Sequence, residues 1–304
     1  MNLRLFAEFP EKKILLGHAA MLSFSLLVSL SFVFGSKVAN SIDPLAITFA
    51  RFFMAMLFIG AICTLKFNFN IASFRAPWRF LILGFAITLY FVLMFEGLKT
   101  AKPVSMSIVF TLTPIMAGLF DFLISKKRMP KPVTFALVIG ALGAVWVIFE
   151  GDLNRLLLFN LGRGEALFFF GCMGHALYAA LIPVLNRGET ALFQTFGTLV
   201  SCSLLLSIVG LSSIYNTDWL SLSFFTWFTI IYLALFATSA SFFLIQFSAS
   251  RLSSVKVMAY TYAVPIWVLL FNWLFGSGLP DSSLMWGGIV IVFVLIFLLR
   301  NKDY

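Results

Sequence analysis

Charged side chains are scarce in this chain. Asp, Glu, Lys and Arg make up 11% of its 304 residues, whereas a soluble domain has about 25% because water must cover its surface. Apolar residues reach 61% and the mean hydropathy is +1.03. Most of the surface is therefore predicted to face lipid. Apolar runs long enough to cross a hydrocarbon core of about 30 Å recur along the chain, which indicates an all-α integral membrane protein.

The residue types that build metal centres, disulfides and catalytic sites are also rare. The three cysteines lie singly in apolar runs, which favours packing over a disulfide framework. His18 and His175 are the only histidines, so a histidine-rich metal site is excluded. The sequence has no Gly-x-Ser-x-Gly, His-Glu-x-x-His or Walker motif. We therefore predict neither an enzyme nor a protein with a metal or cofactor.

The excess of positive charge, +9 overall, does not indicate a nucleic-acid partner, because Lys and Arg crowd into a few short loops. The lipid bilayer is the partner that this pattern predicts. Ten spans are predicted, with the first apolar run retained as a span because it is long enough to cross. They cover residues 15–36, 44–64, 78–98, 103–124, 132–149, 164–185, 190–214, 222–246, 253–275 and 282–299.

The loop charges predict an orientation. With the N-terminus inside, fourteen Lys and Arg residues fall on the cytoplasmic side and five on the other. By the positive-inside rule both termini are cytoplasmic. The loop from Lys126 to Lys131 contributes four of the fourteen. Multi-pass insertion in the inner membrane is the corresponding expectation.

The chain also contains a weak internal repeat. When it is shifted by 151 residues, Phe85–Leu123 aligns with Phe236–Leu274 and Pro114 falls on Pro265. Each proline lies about a dozen residues into its span, where it is expected to break the helix. Because these spans are five helices apart, the two halves, 1–149 and 150–304, are predicted to have opposite orientations. Such inverted repeats are typical of secondary carriers.

Several short motifs carry a resemblance to a known family. Span 2 opens with Asp43-Pro44-Leu45-Ala46 and contains Arg51, and spans 3 and 4 meet at the run from Phe95 to Val104. Leu112-Thr113-Pro114-Ile115 in span 4 is echoed by Ala263-Val264-Pro265-Ile266 in span 9. Taken in this order, the chain resembles the drug/metabolite transporter superfamily, specifically its EamA branch.

The resemblance implies two inverted five-helix repeats around a central cavity, with helices 5 and 10 at the periphery. It implies a small-molecule substrate without identifying it. The second half departs from the pattern, because it keeps no arginine at the place that matches Arg51, near Gly197 and Thr198. A fused chain of this kind can form its cavity as a monomer, and a homo-oligomer remains open.

Polar residues inside the spans are the candidate site, because a charge in lipid costs at least ~2.5–3.5 kcal/mol. Arg51 could hold a substrate carboxylate, or could form an ion pair with Glu96 that acts as an outer gate. His175 and Tyr178 share one face of span 6 near mid-membrane. His175 could bind a polar ligand or a proton, or simply form an interhelical hydrogen bond. The glycines Gly171 and Gly174 beside it predict a close helix crossing.

Three further groups are candidates for lining the cavity. Lys256 and Tyr260 share a face of span 9, although Lys256 could instead extend to the cytoplasmic surface. Ser29 and Phe32 lie on one side of span 1, where a serine-rich face is also typical of helix packing. Tyr90 occupies span 3.

These residues predict a secondary transporter that moves a small metabolite by alternating access, an exporter of an amino acid or a related compound. Two alternatives stay open: uptake of a nucleoside-like or vitamin-like solute, and lipid handling.

Overall fold

The computed structural model describes residues 10–66, 76–126, 128–148, 154, 162–275, 289–290 and 292–297, and the regular structure in these ranges is helical. Eight helices are long and apolar enough to cross a membrane, and one shorter apolar helix lies between the fourth and the fifth of them along the chain. In chain order they are α1 (Pro10–Val38), α2 (Pro44–Lys66), α3 (Trp78–Leu98), α4 (Pro103–Ser125), the shorter α5 (Lys131–Ile148), α6 (Arg163–Leu185), α7 (Ala191–Val209), α8 (Phe224–Ala249) and α9 (Ser254–Leu274).

The predicted all-α membrane fold is confirmed, and the first nine predicted spans coincide with α1–α9. The predicted span at 282–299 and the predicted boundary between residues 149 and 150 lie largely or wholly outside the described residues. Within 282–299, Val294 is buried against Val133 and Leu137 of α5 and Tyr262 of α9. Large apolar side chains such as Phe85, Leu142 and Ile208 are more than half exposed, as expected for a surface that contacts lipid.

The motif at the start of α2 is a helix cap. The Asp43 carboxylate accepts a hydrogen bond from the Leu45 backbone N–H at 2.9 Å, and Pro44 occupies the first position of the helix. A carboxylate satisfies one of the unpaired N–H groups at a helix start, and proline fits there because it has no N–H to lose. This cap fixes the start of the helix that carries Arg51.

Both α4 and α9 are interrupted just before the repeated prolines. Regular helix in α4 ends at Phe110 and resumes at Thr113, directly before Pro114, and in α9 a 3₁₀ turn, Tyr260–Ala263, precedes Pro265. Proline removes one helical hydrogen bond and clashes with the preceding turn. The carbonyl of Phe110 accepts instead from the Thr113 hydroxyl at 2.7 Å. The hydroxyls of Thr113 and Thr261 lie 3.1 Å apart, so the two breaks touch.

A π-helical segment, Leu235–Ala240, interrupts α8. Its wider turns leave carbonyls to be satisfied by side chains. The Ser239 hydroxyl donates to the Ala234 carbonyl, and the Ser241 hydroxyl donates to the Ala237 carbonyl, each at 2.8 Å. Single π turns occur often at functional sites, and this one lies beside Arg51.

Helices that precede residue 149 pack mainly against helices that follow residue 162. α3 packs against α6 and α7, while α8 packs against α1 and α2. The second half of α4 packs against α6, and the second half of α9 packs against α1. α2 also packs against α7. The core of the protein therefore lies between elements that precede residue 149 and elements that follow residue 162.

Glycines bring α3 and α6 into backbone contact. A Cβ at Gly174 would lie 2.6 Å from the Ala86 carbonyl oxygen, and one at Gly171 would lie 3.2 Å from the Tyr90 carbonyl oxygen. The predicted close crossing at these two glycines is therefore confirmed. It positions His175, the next residue in α6, directly against Tyr90 of α3.

One end of this crossing is held by a buried ion pair that the loop-charge count did not anticipate. Arg79, one of the fourteen residues counted on the cytoplasmic side, lies in the first turn of α3, where it donates to the Glu189 carboxylate and the Leu185 carbonyl, each at 2.6 Å. Both side chains are less than a tenth exposed. The pair joins α3 to the loop between α6 and α7.

Candidate functional site

A cluster of rings fills the centre of the bundle. It consists of Phe32 of α1, Tyr90 of α3, Phe110 of α4, and Phe168 and His175 of α6, and all five are buried. The His175 ring centroid is 4.6 Å from that of Tyr90 and 5.1 Å from that of Phe110. Phe32 contacts Phe110 and Phe168 at 5.9 and 5.7 Å. This central cluster brings together three predicted site residues, Phe32, Tyr90 and His175.

Tyr178 extends the central cluster by one turn of α6. Its hydroxyl accepts a hydrogen bond from the Gln246 amide of α8 at 2.9 Å. Its ring lies 5.9 Å from Phe242, which in turn lies 6.0 Å from Phe91. Tyr178 therefore links the central cluster to α8 and, through Phe242 and Phe91, to the surroundings of Arg51.

Arg51 is fully buried and is held by neutral groups. Its Nε donates to the Thr238 hydroxyl at 2.8 Å and its Nη2 donates to the Ala237 carbonyl at 3.1 Å. Both acceptors belong to the π-helical segment. The guanidinium carbon lies 4.1 Å from the Phe91 ring centroid, a cation–π geometry that favours a desolvated arginine.

Of the two roles predicted for Arg51, the ion pair with Glu96 is not formed. Glu96 accepts instead from Lys99 at 2.8 Å, three residues away at the half-exposed end of α3. A short pair within one turn leaves both charges near water, whereas a pair with Arg51 would bury the Glu96 carboxylate. A gating role for either residue stays a prediction.

Several polar atoms near these rings have no hydrogen-bond partner among the described residues. They are Arg51 Nη1, Tyr90 Oη, His175 Nδ1 and Gln246 Oε1. Buried polar groups without a partner are uncommon, and each needs an explanation such as an ordered water or a ligand. Four of them along one continuous group of side chains make this region the candidate binding site.

The remaining predicted site residues are not among the rings of the central cluster. The Ser29 hydroxyl donates to the Leu26 carbonyl of its own helix at 2.6 Å, and a place for Ser29 in the cavity lining stays a prediction. Tyr260 is hydrogen-bonded to His18 Nδ1 at 3.0 Å. Lys256, one turn from Tyr260, is buried, with 7% of its surface exposed, and its role in the cavity lining stays a prediction. Pro114 and Pro265 follow the two helix breaks described above.

Cavities open at both ends of the bundle. One of about 360 Å³ lies between the ends of α4, α6 and α8 and includes Asp121 and Arg251. Another, of about 450 Å³, joins the loop at Ser41–Asp43 to the segment between α7 and α8 and includes Asp218. Each end cavity contains at least one carboxylate, whereas the buried centre carries Arg51.

Sequence reasoning missed four residues that shape this region: Phe91, Phe168, Thr238 and Gln246. Gln246 could have been found, because an amide inside an apolar span requires a partner. Phe91 and Phe168 could not be distinguished from the other phenylalanines, of which the chain has 38. Thr238 owes its role to the π-helical segment, for which the sequence has no clear signal.

In the part of the chain that the structure describes, no three His, Cys, Asp or Glu side chains are grouped so that they could hold a metal ion. The chemistry of the centre is that of rings, amides, hydroxyls and one guanidinium, which can bind a solute without reacting with it.

A bundle of apolar helices with ionisable groups buried at its centre is the architecture of an integral membrane transporter. Comparison with known proteins identifies the family. The model of the EamA-like transporter family matches residues 15–149 and again residues 162–300, and the chain belongs to this family. The predicted resemblance is thereby confirmed.

Individual relatives are distant but cover most of the chain. An uncharacterized transporter of Bacillus subtilis, YyaM, is 21% identical over 282 residues, which is 90% of this chain and 91% of that protein. The pseudopaline exporter CntI of Pseudomonas aeruginosa is 23% identical over 73% of this chain and 75% of its own length. A solved crystal structure superimposes with a TM-score of 0.69 at 16% identity, covering 94% of this chain and 97% of that one, which supports the fold.

Proposed function

We propose that the chain is a secondary carrier that exports an amino acid or a related small metabolite across the inner membrane by alternating access. The observation that carries this proposal is the buried centre, where Tyr90, His175 and Gln246 each have a polar atom without a hydrogen-bond partner in the described part of the chain. These atoms belong to α3, α6 and α8, which lie on both sides of the boundary between the two family matches. A solute bound there would be held by both parts at once.

The packing between helices supports the proposal that the chain consists of two inverted repeats. If residues 1–149 and 150–304 are inverted repeats, α3 corresponds to α8 and α1 to α6, and the contact of α3 with α6 corresponds to that of α8 with α1. The touching breaks at Thr113 and Thr261 lie 3.1 Å apart where such an axis would pass. Rocking of one half against the other would then expose the centre alternately to each side.

Export, rather than uptake, is favoured by the function of one relative, a pseudopaline exporter. We propose that both termini are cytoplasmic, because the Lys- and Arg-rich loops then lie inside. On that orientation the cavity that contains Asp121 and Arg251 is the cytoplasmic entrance, and the cavity at Ser41–Asp43 faces outward.

The experiment is flux through proteoliposomes that contain the purified protein. Labelled amino acids and nucleoside-like compounds are loaded inside or outside, with and without a proton gradient. We expect saturable flux of an amino acid, and a loss of about tenfold or more in His175→Ala, because truncation removes the ring at the centre of the cluster and one binding interaction of about 1.4 kcal/mol suffices for that factor.

Leu206→Ala is the matched control, because it truncates a fully buried apolar side chain of α7 that is not among the cluster residues. It is expected to lower stability by about 2–5 kcal/mol and to retain the substrate affinity of the wild type. Scrambling of fluorescent lipids without flux of any solute would contradict the carrier proposal and favour lipid handling. Inward flux only would contradict export.

A further inference from the structure

The inference concerns the partner of Arg51. An arginine remains charged even in a buried site, because its guanidinium does not deprotonate in proteins. Arg51 is 0% exposed, and within the described part of the chain no carboxylate forms an ion pair with it. Its protein partners are a hydroxyl and a carbonyl, which offer dipoles and no negative charge.

The hydrogen bonds of the guanidinium to the described residues are all made by two of its three nitrogens. Nε and Nη2 are bound to the π-helical segment, while Nη1 is buried and has no hydrogen-bond partner among the residues that the structure describes. The bonds to Thr238 and Ala237 fix the plane of the fork. Of the three N–H groups that remain, one on Nη1 and one on Nη2 run parallel at the end of the planar guanidinium, which is the arrangement that recognises an oxyanion.

The surroundings define the rest of the ligand. Phe91 covers the guanidinium at 4.1 Å, and the Phe91 ring lies 4.6 Å from that of Tyr90. The Tyr90 ring in turn contacts His175 at 4.6 Å. An apolar or aromatic body that starts at Arg51 would therefore lie along Phe91 and Tyr90 and end near His175.

We infer that Arg51 is the carboxylate anchor of the transported solute, and that this carrier selects monocarboxylates with an apolar or aromatic body. The inference rests on the proposed carrier function and adds the substrate class. A single cation can neutralise a monoanion, whereas a phosphate monoester, with a charge close to −2, would keep an uncompensated charge in the interior.

The test is binding in detergent, measured by thermal stabilisation and titration calorimetry, so that it does not depend on transport. The probes are matched acids and primary amides: benzoate and benzamide, phenylalanine and phenylalaninamide, with phenyl phosphate as a dianionic probe. We expect the wild type to bind at least one acid about 10- to 100-fold more tightly than its amide, the factor of a charge-assisted hydrogen bond.

Arg51→Gln is expected to abolish the difference between acid and amide, and Arg51→Lys to restore part of it, because lysine keeps the charge and loses the fork. Arg163→Gln is the control, because Arg163 lies exposed at the start of α6. If Arg51→Gln does not fold, Thr238→Val tests the same point by releasing Nε from its acceptor, and should reduce the preference for the acid.

Equal binding of acids and amides by the wild type would overturn the inference without any variant. Preference for phenyl phosphate over benzoate would overturn the assignment to monocarboxylates. Acid-selective binding that depends on Arg51 in a protein that moves no solute would support the anchor and contradict the carrier function, so that the two proposals fail separately.

Discussion

Two arginines are buried in the described part of the chain, and the protein satisfies them by different means. Arg79 is neutralised by a carboxylate, Glu189, at 2.6 Å. Arg51 is held by dipoles and by the face of Phe91. The first arrangement is complete within the protein and is suited to holding two elements together. The second lacks a negative charge and is suited to receiving one.

The Arg79–Glu189 pair should make stability depend on pH. Burial raises the pKa of Glu189, but hydrogen bonds from Arg79 and from the Arg187 backbone outweigh burial and leave the pKa below its usual value. The pair therefore stabilises the folded state above the unfolded pKa of about 4.3, and this stability is lost as pH falls through the lower folded pKa. We expect the melting temperature of the wild type to fall over that acidic window.

Glu189→Gln is expected to lower the free energy of unfolding at pH 7 by up to about 3–5 kcal/mol, because it leaves Arg79 buried without a counter-charge. The melting temperature should fall with it. The substitution should also flatten the acidic fall. Glu96→Gln is the control, because its partner Lys99 is near water and such a pair contributes about 0–1 kcal/mol. An unchanged pH profile in Glu189→Gln would show that the pair is not the cause.

The crossing of α3 and α6 is a close backbone contact between two described helices. Gly174→Ala would place a Cβ 2.6 Å from the Ala86 carbonyl oxygen, an atom of the backbone that cannot move alone. We expect a loss of about 1–3 kcal/mol in unfolding free energy and a weakened contact between His175 and Tyr90, measured by thermal unfolding and by substrate binding.

Gly17→Ala is the matched control, because its Cβ would meet the Leu252 side chain at 3.1 Å, and a flexible side chain can give way. Its loss of stability should be clearly smaller. Equal losses in the two variants would mean that α3 and α6 can separate at this crossing without cost.

The helices illustrate what the sequence could and could not predict. Hydropathy located the spans, and Pro114 and Pro265 marked the breaks in α4 and α9, because a missing N–H acts on its own turn. The π-helical segment at Leu235–Ala240 had no such marker, because an extra residue in a turn is stabilised by distant contacts, here from Arg51. The partner of Arg51 was mispredicted for the same reason: sequence position indicated depth in the membrane but not which helix face would meet it.

For the whole molecule, orientation is the property to test. In a variant whose cysteines Cys63, Cys172 and Cys202 are replaced by alanine, single cysteines can be introduced at exposed loop positions. We expect Ser41→Cys and Ser221→Cys to react with an impermeant maleimide in intact cells, and Ser125→Cys and Ser250→Cys only after permeabilisation, because the positive loops should face the cytoplasm.

The reverse pattern would contradict the proposed orientation. Labelling of Ser41→Cys and Ser250→Cys from the same side would contradict the topology itself. The seven helices α2–α8 lie between these two positions, and seven crossings place them on opposite sides of the membrane. The three native cysteines are buried and form no disulfide. Their replacement by alanine should cost some stability through small cavities, and the melting temperature of the cysteine-free variant verifies that the fold is retained.

The hydrogen bonds between Arg51 and the π-helical segment also determine how late during synthesis Arg51 can reach its final position. Thr238 follows Arg51 by 187 residues, which at a synthesis rate of about 5–20 residues per second corresponds to roughly 10–40 s. During that interval the nascent chain holds a permanent cation in or beside the membrane before either of its final partners exists. The early helices must therefore remain loosely arranged, at the translocon or in contact with water, until α8 emerges and docks.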